Sequence, residues 1–359
     1  MTRLAVVCPY PVGVAPSQRL KYEQYFDSWK RAGYEIEVFP FWDEAGWEIL
    51  YSRGAILEKC AALLRGLHRR RRELERVCDA DMVYLHIEAV PVGPAWFERE
   101  LVASGTPFIY DIDDLVHLPH GSPANPFMRL LRGSRKIPWL AAEAAHVIVC
   151  TEYLHDFASR HSEHVTDISS TIDLELYRPR GARREGPIVV GWSGSHSTSR
   201  YLHLLDSVLS ELVRSEGIAV RVIGDETFAI EGLQVEASPW CRASEVEDLS
   251  RIDIGVYPLP DEEWVLGKSG LKALQYMALG IPTIATAVGS NLRIIEHGTN
   301  GLLASDETAW REHLRLLVRD ADLRERLGAA GRETVAERYS VEANEELYLS
   351  VLSDVAASI

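Results

Sequence analysis

Short runs of consecutive apolar residues alternate along this chain with longer stretches in which apolar positions recur every three or four residues. Leu4–Cys8 is the first such run. A run this short and apolar on both faces predicts a strand of a parallel sheet covered by helices. A helical period follows from about Gln18 to Ala32 and stops at Gly33, and Glu35–Phe39 is the next strand, so the chain opens with a strand, helix, strand unit. Further on, Arg53–Val77 reads as a long charged helix, Met82–His86 as a strand, Pro94–Ser104 as a helix and Pro107–Ile112 as a strand. Ala141–Ala145 and Val147–Cys150 add one more helix and strand. The alternation then restarts. Ile188–Trp192, Ala219–Ile223, Leu233–Val235, Ile252–Tyr257, Pro282–Ala285 and Asn300–Ala304 are strand-like, with helical stretches at Tyr201–Val213, Leu271–Ala278 and Asn291–His297. Leu323–Tyr339 and Val341–Ala356 close the chain as helices. Between the halves, Gly181–Pro187 is short, polar and rich in breakers, as a linker is. The pattern predicts an α/β protein of two domains, residues 1–180 and 181–340, with a C-terminal helix over 341–359.

Composition agrees with two cores: 359 residues exceed what one core usually serves. No apolar run approaches a membrane span, and the opening apolar run breaks at Pro9, too early for a signal segment, so a cytoplasmic location is expected. A formal charge of −15 excludes the chain as a whole from the nucleic-acid binders, which need a cationic face. His68–Arg72, H-R-R-R-R, is the local exception. It reads either as a solvated helix surface or as a patch for peripheral contact with anionic lipid or a lipid diphosphate. The cysteines, Cys8, Cys60, Cys78, Cys150 and Cys241, are odd in number and widely spaced, which suggests neither a zinc site nor a disulfide framework.

Three stretches carry chemistry. Gly267–Gly270 is a glycine-containing loop that feeds the helix beginning at Leu271, so its backbone N–H groups and those of Ser269 and Gly270 face outward at the positive end of a helix dipole. Lys268 adds a full charge there. The loop Gly191–Arg200, G-W-S-G-S-H-S-T-S-R, has no dinucleotide fingerprint, yet Ser193, Gly194 and Ser195 offer N–H and O–H donors before a helix whose first turn holds Arg200. The third stretch, Asp111–Asp114, D-I-D-D, ends an apolar strand. Asp111 and Asp113 share a face, and they repel unless a cation, a donor or a substrate hydroxyl stands between them.

The segment Gly267–Gly289 resembles the donor-site helix of the retaining glycosyltransferases of family 4, which have the GT-B fold: two Rossmann-like domains facing a deep cleft, with the last helix crossing back to the first domain. Gly270, Leu271, Met277, Ala278, Gly280 and Pro282 fit the family pattern. Its two acidic positions fall on Gly267 and Gln275, and neither is acidic here. The resemblance implies a transfer from a nucleoside diphosphate sugar with retention at the anomeric carbon and without a metal or other cofactor. It implies that Gly13 and Arg19 in the first loop face the donor phosphates, that Asp113 stands near the acceptor hydroxyl with Asp114 beside it, and that Trp240 and Cys241 touch the base. Trp192 takes the place of the family's usual Arg, which leaves Arg200 and Lys268 to supply positive charge. Asp113 stands at the family's His position, so His117 or His120 would supply an acceptor-side imidazole. Within the same resemblance, an epimerase or a non-catalytic relative is a rival reading. From another class, Asp111 and Asp113 could form the nucleophilic pair of a magnesium phosphatase. Neither the donor's base and sugar, nor the acceptor, nor the oligomeric state is legible at this stage.

Overall fold

A computed structural model describes residues 1–50, 54–115, 136–179, 181 and 186–358. The chain divides into two compact units, Met1–Ser170 together with Asn344–Ile359, and Thr171–Ala343. Each is built on one six-stranded sheet in which every pairing is parallel.

In the first unit the strands are β1 (Thr2–Cys8), β2 (Tyr34–Pro40), β3 (Met82–His86), β4 (Phe108–Ile112), β5 (His146–Val149) and β6 (Val165–Asp167), in the order β2-β1-β3-β4-β5-β6. Strands β3 and β4 are buried along their whole length, which is why they read as unbroken apolar runs. The helix predicted over Gln18–Ala32 is instead three short pieces, Pro16–Arg19, a 3-10 turn at Glu23–Tyr25, and Phe26–Arg31. Side chains in this stretch explain the break. Gln18 bonds Tyr10 through both N–H and carbonyl (3.0 Å each) and Lys21 turns into the core, so the segment clamps the first loop and does not present one clean helical face.

In the second unit the strands are β7 (Val189–Ser193), β8 (Ala219–Ile223), β9 (Val235–Ser238), β10 (Ile254–Tyr257), β11 (Thr283–Thr286) and β12 (Leu302–Ala304), ordered β12-β11-β10-β7-β8-β9. The expected helix Tyr201–Val213 begins as a 3-10 turn, Ser199–Leu205, and becomes α-helical over Asp206–Glu216. The expected strand Leu233–Val235 is displaced to Val235–Ser238, at the sheet edge where one partner strand sets the register.

The second unit starts at Thr171, earlier than the linker at Gly181. Long-range pairing draws the preceding residues in: Ile172 bridges Ser340, and the Arg332 guanidinium donates to the Tyr177 carbonyl at 2.6 Å. Residues from Asn344 onward belong to the first unit, where the buried Tyr348 ring lies 4.5 Å from Tyr25 and 5.7 Å from Trp29. Among the described residues no helix is long and apolar enough to cross a membrane.

Candidate functional site

The order of the second sheet places a topological switch between β7 and β10, which are neighbours although the chain leaves them toward opposite edges. In open parallel sheets the loops at the carboxyl ends of two such strands part and leave a crevice where ligands bind. Here those loops follow Ser193 and Tyr257. Between them lies a pocket of about 90 Å³, lined by Trp192, Thr198, Tyr201, Tyr257, Trp264, Lys268 and Lys272 among others.

Its walls are aromatic and its charge is positive. Tyr201 and Trp264 stack with ring centroids 5.2 Å apart. The Lys268 ammonium lies 5.2 Å from the centre of the Trp264 ring, and that of Lys272 lies 5.2 Å from Tyr257 and 5.6 Å from Trp192. Among the described residues no carboxylate lines the pocket. Burial, and then the like charge of Lys268, push the Lys272 ammonium down to about 8. The two ammonium groups line one small pocket together, which suits it to an anion. The helix Leu271–Ala278 starts beside them with no side-chain cap, and its N-cap Gly270 takes φ +76°, a conformation suited to glycine.

Lys272 was not singled out in the sequence, where it reads as one more polar position of an amphipathic helix; its spacing of four from Lys268 was the available signal. Other expected donors are spent inside the fold. The Ser193 N–H donates to the Tyr276 hydroxyl (2.7 Å), that of Gly194 to the Ile223 carbonyl (2.9 Å), and that of Ser195 to Thr198 Oγ1 (3.3 Å). The loop after β7 is thus stapled to its surroundings and does not offer the cradle of N–H groups expected of it. Gly191 sits inside β7, where a Cβ would collide with Ile252, so its role is packing. Arg200 is exposed and stacks on the Tyr201 ring at 4.8 Å, donating to the Tyr201 hydroxyl at 2.6 Å. It reaches the pocket through that ring.

Gln275 is buried and donates to the Tyr177 hydroxyl (2.8 Å) and to Glu245 Oε1 (3.2 Å), which also accepts from Trp240 Nε1 at 3.1 Å. Gln275 and Trp240 therefore both donate to Glu245, a buried carboxylate that the sequence did not single out. Cys241 is exposed next to Trp240. Ser269 and Leu271 are half-buried between the two lysines in sequence.

In the first unit the crowded aspartates have their cation. Lys21 is fully buried, pairs with Asp111 and reaches Asp113 Oδ1 at 3.5 Å. The other oxygen of Asp111 accepts from the Tyr84 hydroxyl (2.8 Å) and faces His86 Nδ1 (2.9 Å). Burial alone would raise the Asp111 pKa, but Lys21 and His86 bring it down to about 2. A carboxylate so enclosed has no free oxygen for attack on a phosphate, and the phosphatase reading fails there. Asp113 differs. It keeps 10% of its side chain exposed, and burial raises its pKa against the pull of Lys21. Asp114 accepts from the Leu115 N–H at 2.8 Å.

The other candidate residues of the first unit divide. The Gly13 N–H, expected to meet donor phosphate, donates to Glu23 Oε2 at 2.7 Å, and Arg19 is buried, not a surface charge. His117 and His120 lie outside the described residues. The basic run is largely structural: Arg70 is fully buried and donates to the Cys8 and Ala89 carbonyls (2.8 Å each), while Arg69 pairs with Asp43 at 3.0 Å. That removes two of the charges counted toward a lipid patch.

Comparison with known proteins places this site in a class. Residues 187–320, which contain the whole pocket, match the family described as Glycosyl transferases group 1. More particularly, a 91-residue stretch is 35% identical to N-acetyl-alpha-D-glucosaminyl L-malate synthase of Bacillus anthracis, covering 24% of this chain and 24% of that protein. Matched sequence thus spans about a quarter of that relative's length. Two solved structures resemble the chain over nearly its whole extent. One is HepE of Anabaena in complex with UDP and glucose, at TM-score 0.70 and 15% identity, covering 98% of this chain and 99% of that one. The other is sucrose-phosphate synthase of Thermosynechococcus elongatus, at TM-score 0.72 and 16% identity, covering 100% of both. At these identities the likeness is one of fold, and the fold is that of the GT-B glycosyltransferases.

Proposed function

We propose that the protein is a glycosyltransferase that moves a sugar from a nucleoside diphosphate sugar to an acceptor, with retention at the anomeric carbon. The observation that carries this reading is the pocket at the β7/β10 switch, where Lys268 and Lys272 bring two ammonium groups beside a helix start that has no side-chain cap, within the segment that matches the glycosyltransferase family. Sugar transfer expels a nucleoside diphosphate. Its developing charge is met by preorganised ammonium groups and backbone dipoles, which do this work without reorganising at the moment of reaction. Arg200 and Ser269 stand in support. Glu245, Gln275 and Trp240 form the polar group that holds the donor's ribose or base. In the first unit Asp113 accepts a hydrogen bond from the acceptor hydroxyl. Its raised pKa suits a group that takes a proton late in the transfer. UDP is the first nucleotide to try, because HepE was solved with it.

The test is thermal unfolding against a panel of nucleoside diphosphates and their sugars, with and without chelator. A ligand at a hundred times its dissociation constant stabilises by about 2.7 kcal/mol. A shift with one base that survives chelator supports a metal-independent donor site. Absence of a shift with every nucleotide overturns the reading, and a product formed from donor alone would turn it toward epimerisation.

A further inference from the structure

We infer that Lys272 is a ligand of the donor's diphosphate and that entry of the anion draws a proton from solvent onto its amine. The inference rests on the donor-site reading above and adds to it a residue and a coupled equilibrium.

Lys272 approaches the pocket from the first turn of the helix Leu271–Ala278, with its amine between the faces of Trp192 and Tyr257. Ring faces attract an ammonium weakly and replace little of its lost hydration. Among the described residues the titratable groups that share the pocket with it are Lys268, Tyr201 and Tyr257, and no carboxylate is with them. Asp261, Glu262 and Glu263 of the adjoining loop are exposed and do not line the pocket, and Glu262 accepts from Trp264 Nε1. Tyr276, on the same helix, accepts from the Ser193 N–H with its hydroxyl. The charged form of Lys272 therefore has a like charge and two rings for company, and it titrates near 8.

A diphosphate reverses this balance. Its oxygens carry full negative charge at pH 8, since a phosphate's second ionisation lies near 6. Placed between two lysines, they favour the ammonium form of both. Lys272 is pushed low enough to have lost part of its protons at pH 8. The balance is simple: one amine and one solvent proton give one ammonium, and no bond to carbon or phosphorus changes. Donor binding then weakens as pH rises above 8, because the proton must be taken from a more dilute supply.

Calorimetric titration of the full chain with UDP at pH 8.0, in two buffers of different ionisation enthalpy, reads the proton count directly. A fractional uptake of protons on UDP binding is expected. Lys272→Met should abolish it and weaken binding about tenfold or more, with the fold checked by circular dichroism. As a measurement that needs no variant, pyridoxal 5′-phosphate and borohydride should label Lys272, with UDP protecting it. UDP binding without proton uptake, with Lys272→Met binding as well as the parent, would overturn the inference and leave the glycosyltransferase reading standing. No binding of any nucleoside diphosphate would overturn both.

Discussion

At the scale of single residues, a fully buried lysine, Lys21, and a half-buried one, Lys272, show how the same side chain serves opposite ends. Lys21 is surrounded by carboxylates and its pKa is raised despite burial, through Asp111 and then Asp113. Lys272 meets no carboxylate among the described residues of its pocket, and its pKa falls. The first is therefore part of the scaffold. Lys21→Met leaves Asp111 charged and unpaired in the core, which should cost about 3–5 kcal/mol in a urea titration at neutral pH. The pH dependence follows in sign from Asp111. Its folded pKa, about 2, lies below the ordinary 3.8, so its contribution is fully present above pH 4 and is lost as pH falls through the folded value. Asp113, shifted the other way, costs stability above its ordinary value and partly offsets this loss on acidification. At the pocket, Lys268→Ala should lower turnover about a hundredfold, on the scale of losing one donor to a developing anion. Steady-state rates at saturating donor decide this, and unchanged turnover would remove Lys268 from the mechanism.

At the scale of elements, the loop after β7 is held by the turn after β8. The Gly194 N–H bonds the Ile223 carbonyl at 2.9 Å, and Gly224 takes φ +101°, where a Cβ would strike the Gly194 carbonyl. Backbone cannot retreat as a flexible side chain can. Gly224→Ala should therefore destabilise the second unit by about 1–3 kcal/mol and displace the wall formed by Trp192. The checks are the denaturation midpoint and the UDP affinity. A loss of stability with unchanged affinity would show that the staple and the pocket are independent. The same contact explains why this loop failed as an N–H cradle. Its sequence, rich in glycine and serine, predicted donors correctly but not where they would be spent, because partners such as Tyr276 and Ile223 come from other elements.

At the scale of the whole molecule, the C-terminal residues complete the first unit's core from more than three hundred positions away in sequence. Tyr348 is fully buried against Tyr25 and Trp29, so Tyr348→Ala should cost about 3–5 kcal/mol and loosen the first unit. Hydrogen exchange would show this as lost protection in β1 and β3, with the second unit's strands unchanged. The local sequence determined the alternation of strands and helices, since runs such as Leu4–Cys8 and Ile254–Tyr257 can be buried only in a covered parallel sheet. It also determined the breaker-rich segment near Gly181 and the charged loop that opens the helix at Leu271, because glycine conformation and helix-end polarity are local properties. What only the tertiary structure decided is which charges are compensated. The repulsion between Asp111 and Asp113 called for a partner that the sequence left open and that Lys21 supplies, and His68–Arg72 offered a helix surface or a lipid patch, whereas Arg70 is buried and bonds the end of β1. Lys272 read as an ordinary helix position until two rings and no carboxylate surrounded it. Charge compensation acts through space between elements far apart in sequence, and burial multiplies its strength, so no local pattern reports it.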